Sequence, residues 1–506
     1  MRWTLPYNSP LPDGPRKRRC VRLLRVVLYG LVISAFVGTA VQFQYGLMRD
    51  IRKAERWDAR HRDPTDQQLR KRPSGRSGAV TRWQLAVEQM WEGVDIYRSH
   101  DESSRSVSAQ QGDGSRMHPN MPAVAVMMTP LTWVTPTTAA VVWNLMKLAV
   151  VAMAVLMAAS VANHHDKRVP DWVVLLGLLL AGKFVISDIQ HANTNVFVMG
   201  GIVAHLWLYR RGRDFAAGAP LALAICLKLT PVLFLAYWLY QRNWKLLTGA
   251  LVALLVLGVL LPAVALGPER FADLSDSWWT NVISPGLVES QWYPIHINQS
   301  APGVLARYLL GGQRAGNIYY APDTRDPEPE ANVWIAPVAL SPEVARWVVR
   351  VVQAGIVLAG ACAIGLRKLP REDGRRGLHY AIVLTAMMLL NQRTWDHHAA
   401  VMLGGSVALW YAVAYGRVGT VARKRSLMLV LVAMALVWAT GKEAFVLAAK
   451  LFGHNGDTGE LWHNLSQAYG LTFYHFLLVF LTAILLTVRL KKLDDPYASR
   501  RLRISE

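Results

Sequence analysis

The feature that most constrains this chain is a succession of apolar runs separated by short, strongly basic interruptions. The first run, VVLYGLVISAFVGTAVQF from Val26 to Phe43, approaches the ~20 residues that an α-helix needs to cross a bilayer. The interruptions HHDKRVP (164–170), RRGRD (210–214), QRNWK (241–245), RKLPREDGRRG (367–377) and GRVGTVARKRS (416–426), and the tail RLKKLDDPYASRRLR, are all rich in Lys and Arg. Cytoplasmic loops collect such residues, so these segments are expected on one common, cytoplasmic face.

Alternating spans around those loops predicts an all-α, polytopic transmembrane protein of about twelve helices, near 26–46, 137–162, 171–188, 194–209, 216–229, 231–240, 246–266, 343–366, 378–390, 399–415, 427–448 and 467–489. Residues 216–240 read either as one tilted helix or as two short limbs meeting at Pro231, and only two limbs keep every basic loop on one side. The expected organisation is a basic cytoplasmic N-terminus (1–25), one membrane domain (26–490) with long extracytoplasmic loops at 47–122 and 267–342, and a basic cytoplasmic tail (491–506). Both termini are then cytoplasmic and the location is the inner membrane.

Composition agrees, with 53% hydrophobic residues and 19 Trp. A net charge of +21 would also suit a nucleic-acid binder, but the basic loops account for it and no nucleic-acid motif is present. Arg16, Lys17, Arg18, Arg19, Arg22 and Arg25, followed by Gly38–Ala40, imitate a signal peptide. The length of the run and the spans that follow favour an uncleaved helix. Cys20, Cys226 and Cys362 lack metal spacing and read as unpaired.

Nearly every polar motif falls opposite the basic loops. In TRWQLAVEQMWEGVDIY, Glu88, Glu92 and Asp95 follow at helical spacing, as a general base near the membrane surface or as a solvated acidic face with Arg82 and Arg98. Trp83, Val87, Met90, Trp91 and Val94 predict an interfacial amphipathic helix there. Four prolines break RMHPNMPAVAVMMTPLTWVTP (116–136), which contains His118, into pieces too short to span, as in a segment dipping into the membrane edge or a kinked helix entry. SDIQHANTNVFV concentrates Asp188, Gln190, His191, Asn193 and Asn195 where two spans meet, for substrate binding or for interhelical bonding. Lys228, in CLKLTP, ends an apolar half-helix and either holds a phosphate or snorkels to the interface. IHINQS supplies His296, Asn298 and Gln299, and NQRTWDHH supplies Arg393, Trp395, Asp396, His397 and His398. These suit a hydrogen-bonding pocket for an anionic group and a sugar ring better than a metal site, because the histidine spacing is poor for a metal. No nucleotide-binding signature occurs, so a sugar transferase of this design needs a lipid-linked donor rather than a nucleotide sugar, and no cofactor is expected, a divalent metal being possible but not indicated.

The order of these motifs resembles glycosyltransferase family 87, membrane enzymes of the GT-C type that include mannosyl- and arabinofuranosyltransferases. GVDIY (93–97), HPNMPAVAVMMTPLTWVTP, QHANTNVF and the RRGRDFAAGAPLALAICLKLTP hairpin carry the resemblance, most densely from about 82 to 300. It implies an inverting transfer of a hexose or pentose from a polyprenyl-phosphate donor to a glycan or glycolipid acceptor at the extracytoplasmic face, with no nucleic-acid partner. It also implies a base, an Asp some sixteen residues before the GVDIY-like motif, where this sequence has Ala79 and Val80. Asp95 or Glu88 is the expected replacement. In the alternative, the chain is a non-catalytic transporter or binding protein for a lipid-linked sugar.

Overall fold

A computed structural model describes residues 15–61, 78–98, 118–164, 169–288, 292–310 and 337–490. Among the described residues the chain is mostly helical, without a β-strand. α1 runs from Pro15–Arg60, α2 from Gly78–Trp91, α3 from Pro122–Met128, α4 from Pro136–Ala162, α5 from Asp171–His191 and α6 from Asn195–Arg210. α7 (Asp214–Leu227) and α8 (Val232–Tyr240) form a hairpin; α9 follows as Trp244–Leu266. α10 (Pro268–Trp278), α11 (Ala301–Leu309), α12 (Pro342–Ile364), α13 (Arg376–Leu390), α14 (Leu403–Tyr415), α15 (Thr420–Ala439), α16 (Lys442–Leu451), α17 (Gly456–Ala468) and α18 (Leu471–Arg489) complete the order.

Every expected span has a helix within a few residues of it, but they are not twelve equal crossings. Seven helices among the described residues are long and apolar enough to span, or eight if one bent pair counts as a span. The expected pieces 194–209, 216–229, 231–240 and 378–390 correspond to shorter helices, α6, α7, α8 and α13. The stretch 216–240 divides into two limbs, and Lys228 is extended between them (φ −160, ψ 131). The expected span 427–448 is bent by 74° between α15 and α16. At the break Thr440 turns its hydroxyl back to the Leu436 carbonyl (2.7 Å) and accepts from Lys183 Nζ (3.2 Å). A side chain entering the backbone ladder beside a glycine, Gly441, is a common cause of such a kink.

The apolar face of α2 packs on protein rather than lying open. Its Trp83, Val87 and Met90 are buried in the protein, because the proline-broken segment covers them. Pro122 starts α3, Pro130 sits in a 3-10 turn over Thr129–Trp133, and Pro136 opens α4 behind the Thr135 cap. The Gln84 amide donates to the carbonyls of Leu131 (3.0 Å) and Val134 (2.8 Å), which fixes α2 against this turn. Helices approach closely at glycines: a Cβ on Gly218 would stand 2.1 Å from the Ala250 nitrogen, and one on Gly249 2.1 Å from the Phe215 carbonyl oxygen. Small residues allow that contact between apolar helices, where packing rather than water drives association.

The basic loops meet at one end of the bundle. Arg210 donates to Asn163 and to the Arg371 carbonyl, Arg371 pairs with Asp214 at 2.8 Å, His164 pairs with Asp373 at 3.4 Å, and Arg25 pairs with Asp171 at 3.0 Å. Burial alone would raise the Asp373 carboxyl, but bonds from His164 and Arg375 outweigh it and hold it well below the ordinary range. The polar motifs singled out above occupy the opposite end.

Candidate functional site

At that end the turn between α5 and α6 is built around Asp188. Ala192 takes the left-handed conformation (φ 48), which closes α5, and the Trp143 indole donates to its carbonyl at 3.0 Å. Asp188 Oδ1 accepts from the backbone N–H of Asn195 (3.1 Å) and from its side-chain amide (2.9 Å). Its Oδ2 lies 2.8 Å from Nζ of Lys147 on α4, and both side chains are 0% exposed. Asn195 presents its remaining oxygen to Lys228, whose Nζ donates to it at 3.0 Å. Lys228, half-buried in the α7–α8 turn, is thereby tied to the α5–α6 turn.

A second turn, a 3-10 segment over Asp396–Met402, packs on the first. The Asn193 amide reaches His397 Nε2 at 3.2 Å, the rings of His191 and His397 stack at 4.9 Å, and Trp395 stacks on His398 at 5.7 Å. Asp396 pairs with Lys183 of α5 at 3.2 Å. Its other oxygen, Oδ1, has no hydrogen-bond partner. The Arg393 guanidinium lies over the Tyr293 ring at 3.5 Å, a contact that orients a planar cation without neutralising it.

Asn298 knits a third segment to the second: its amide donates to the carbonyls of Tyr293 and Gln392 (both 2.8 Å), and its oxygen accepts from Thr394 N–H (2.9 Å). Gln299 donates to His296 O (2.7 Å) and Gln467 O (2.8 Å). Arg307, 1% exposed, clamps the same place by donating to five carbonyls, those of Pro294, Ile295, Asn298, Gln467 and Ala468. His296 is lowered to about 3 by burial and by the charges of Arg307 and His463. It is a neutral imidazole, and its buried Nδ1 has no hydrogen-bond partner among the described residues.

Lys228, Asn193, Asn195, His191, Trp395, Asp396, His397 and His398 thus come together, with Asn298 and Gln299 holding the NQRTWDHH turn in place. Gln190 is exposed beside them. The expected catalytic carboxylates stand elsewhere. The end of α2 that meets the site is its start, where a Cβ on Gly78 would lie 3.1 Å from Ala192 Cβ. Ala79 and Val80 are therefore beside the α5–α6 turn, whereas Glu88 is about 15 Å further along the helix axis. Asp95 lies past the helix end, accepts from Tyr97 N–H (2.9 Å) and pairs with Arg98 (3.1 Å). Arg82 is exposed and bonds to the Gly78 carbonyl. His118 is buried between Trp83 and Tyr97 and lowered to about 4 by that burial, against its bond to Asn120 O.

Lys147, Lys183, Arg307 and Thr440 were not among the residues singled out from the sequence. Lys147 and Lys183 carried a readable signal, as lone cations inside apolar runs. Among the described residues no group of three or more His, Cys, Asp or Glu is arranged to hold a metal.

A bundle of apolar helices with its basic loops at one end and the polar turns of the candidate site at the other defines a multi-pass membrane protein. The sequence model of glycosyltransferase family 87 matches residues 120–391, more than half of the 506 residues, and the chain belongs to that family of membrane glycosyltransferases. The match takes in QHANTN, CLKLTP and IHINQS and stops at Asn391. No curated protein matches the chain. Among solved structures it is similar to ArnT from Cupriavidus metallidurans bound to undecaprenyl phosphate, with 13% identity over 82% of this chain and 73% of that one and a TM-score of 0.33. The apo state of that protein gives 14% identity, 81% and 73% coverage and the same TM-score of 0.33. A likeness of that degree adds nothing to the family assignment.

Proposed function

We propose that this protein moves a hexose or pentose from a polyprenyl-phosphate donor to a glycan or glycolipid acceptor on the extracytoplasmic side of the inner membrane, with both its termini in the cytoplasm. The observation that carries the reading is Lys228. Its ammonium, anchored by Asn195 at 3.0 Å, shares one end of the bundle with the imidazoles and amides of three other distant segments, and a lysine is a point-charge ligand for phosphate. Arg393 is a second cation for the same anion. Family membership supports the donor class and the inversion.

In this reaction the acceptor oxygen attacks the anomeric carbon, the bond from that carbon to the phosphate oxygen breaks, and polyprenyl phosphate leaves with its new charge stabilised by Lys228 and Arg393. A base takes the acceptor proton. Of Glu88, Asp95 and Asp396, only Asp396 belongs to the turn that packs on Asn193 and His191, and it keeps one oxygen unpartnered. Asp396 is the base in this proposal.

The test is turnover of synthetic polyprenyl-phosphate sugars by the purified protein, followed by release of polyprenyl phosphate. Turnover by the wild type, lost in Asp396→Asn and kept in Asp95→Asn, supports the assignment. Binding of polyprenyl phosphate without turnover of any donor in the presence of membrane glycolipid extracts would leave a carrier rather than a transferase. A full rate in Asp396→Asn would remove that residue as the base.

A further inference from the structure

The ammonium of Lys228 stands beside a carboxylate with which it does not pair. Asp188 is saturated from elsewhere. Lys147 reaches Oδ2 at 2.8 Å and donates to the Asp188 carbonyl at 2.7 Å. Val196 N–H also donates to Oδ2, at 3.3 Å. Asn195 occupies Oδ1 twice, through its backbone (3.1 Å) and its amide (2.9 Å). The contacts form a relay, Lys147 to Asp188 to Asn195 to Lys228, with a cation at each end and one carboxylate between them.

A buried carboxylate without a cation is costly, and it recruits whichever ammonium is near. Two lysines are near this one. Lys147 is enclosed in the apolar α4 and is inaccessible, whereas Lys228 sits at a turn between helices. If Lys147 did not neutralise Asp188, Lys228 would be drawn into that role and its charge would be spent inside the protein.

We propose that Lys147 is a positioning residue that occupies Asp188 so that Lys228, oriented by Asn195, stays available to the phosphate of the incoming lipid. The proposal rests on the reading of Lys228 given under Proposed function. It assigns opposite consequences to the two members of the buried pair. Removing Lys147 silences Lys228; removing Asp188 does not.

The experiment measures binding of polyprenyl phosphate, with polyprenol as the phosphate-free control and phosphatidylglycerol as the competing phosphate, to the purified full-length protein in detergent. The variants are Lys228→Met, Lys147→Met, Asp188→Asn and the Lys147→Met/Asp188→Asn double. Lys228→Met and Lys147→Met should each weaken binding at least about tenfold, the worth of one charge-assisted bond. The double variant should stay within about threefold of wild type, since it leaves neither a carboxylate to claim Lys228 nor a buried ammonium without its partner, whereas Asp188→Asn alone strands Lys147 and should lower the melting temperature. A purely structural role predicts instead that the double variant binds no better than Lys147→Met. Wild-type affinity in Lys228→Met, or equal affinity for phosphatidylglycerol, overturns the donor-phosphate reading itself. Weak Lys228→Met with a wild-type Lys147→Met, or with an unrescued double, overturns this inference alone. Should Lys147→Met fail to fold, the double still decides: loss of binding in it, as folded protein, refutes the relay.

Discussion

Replacing Asn195 with Asp keeps the shape of the side chain and places a negative charge where an amide oxygen now meets Lys228. At the observed 3.0 Å, a carboxylate attracts the ammonium by about 5 kcal/mol at an effective dielectric of about 20. Lys228 is only half-buried, so solvent screening reduces this to roughly 2–3 kcal/mol. That is the advantage an incoming phosphate has to overcome, and it corresponds to a dissociation constant about 30- to 150-fold weaker. The variant also sets two carboxylates against each other where the Asn195 amide now donates to Asp188 Oδ1 at 2.9 Å. Sharing a proton relieves that repulsion, so lowering the pH from 7 to 5 should recover part of the loss. Asn195→Ala, which removes the anchor without adding charge, should weaken binding by only about tenfold. Titration of polyprenyl phosphate into detergent-solubilised protein, with size-exclusion profile and melting temperature as controls for folding, measures all three. A folded Asn195→Asp protein that binds within threefold of wild type would refute the view that Lys228 holds the phosphate through this turn.

Three other outcomes are expected. Arg307→Met removes the shared donor of five carbonyls, of which Gln467 O keeps Gln299 and Ile295 O keeps the Asn298 N–H, and should lower stability by about 3–5 kcal/mol, read as a fall in melting temperature with loss of turnover as the 292–300 segment detaches. His118 is held neutral down to about pH 4 while an unfolded imidazole takes its proton near 6.5, so the unfolded chain binds more protons between these values. Stability conferred by His118 is therefore complete at neutral pH and declines as pH falls below about 6.5, by about 2 kcal/mol at pH 5; His118→Gln should flatten that part of the curve. Gly218→Val, with a backbone nitrogen 2.1 Å from the first added carbon, should separate α7 from α9 and give protein that aggregates on extraction.

Hydropathy and charge located the helices because the membrane imposes those two patterns on sequence directly. They also gathered the site: Lys228, Asn195 and His397 all stand in turns on the side away from the basic loops, and the fold brings them together. What the pattern could not convey was contact. The amphipathic face of α2 is the same whether lipid or protein covers it, and only the Gln84 bonds to Leu131 and Val134 decide for protein. Thr440, at the break, also accepts from Lys183, which is remote in sequence. Glu88 and Asp95 were attractive as carboxylates near a family motif, but spacing along a helix does not tell which end of it meets the rest of the site. Asp188 was legible as a polar residue in a turn, and Lys147 as a lone charge in an apolar run. Their pairing was not.

α1 has 46 residues, about 69 Å at a rise of 1.5 Å per residue. A hydrocarbon slab of ~30 Å, even crossed at a tilt of about 40°, takes up less than 40 Å of it. Some 30 Å of rod must therefore emerge beyond the lipid tails, shared between its two ends, with its own backbone bonds intact and needing no neighbour to satisfy them. The emergent part of α1 is thus a stiff rod whose reach is set by its own length.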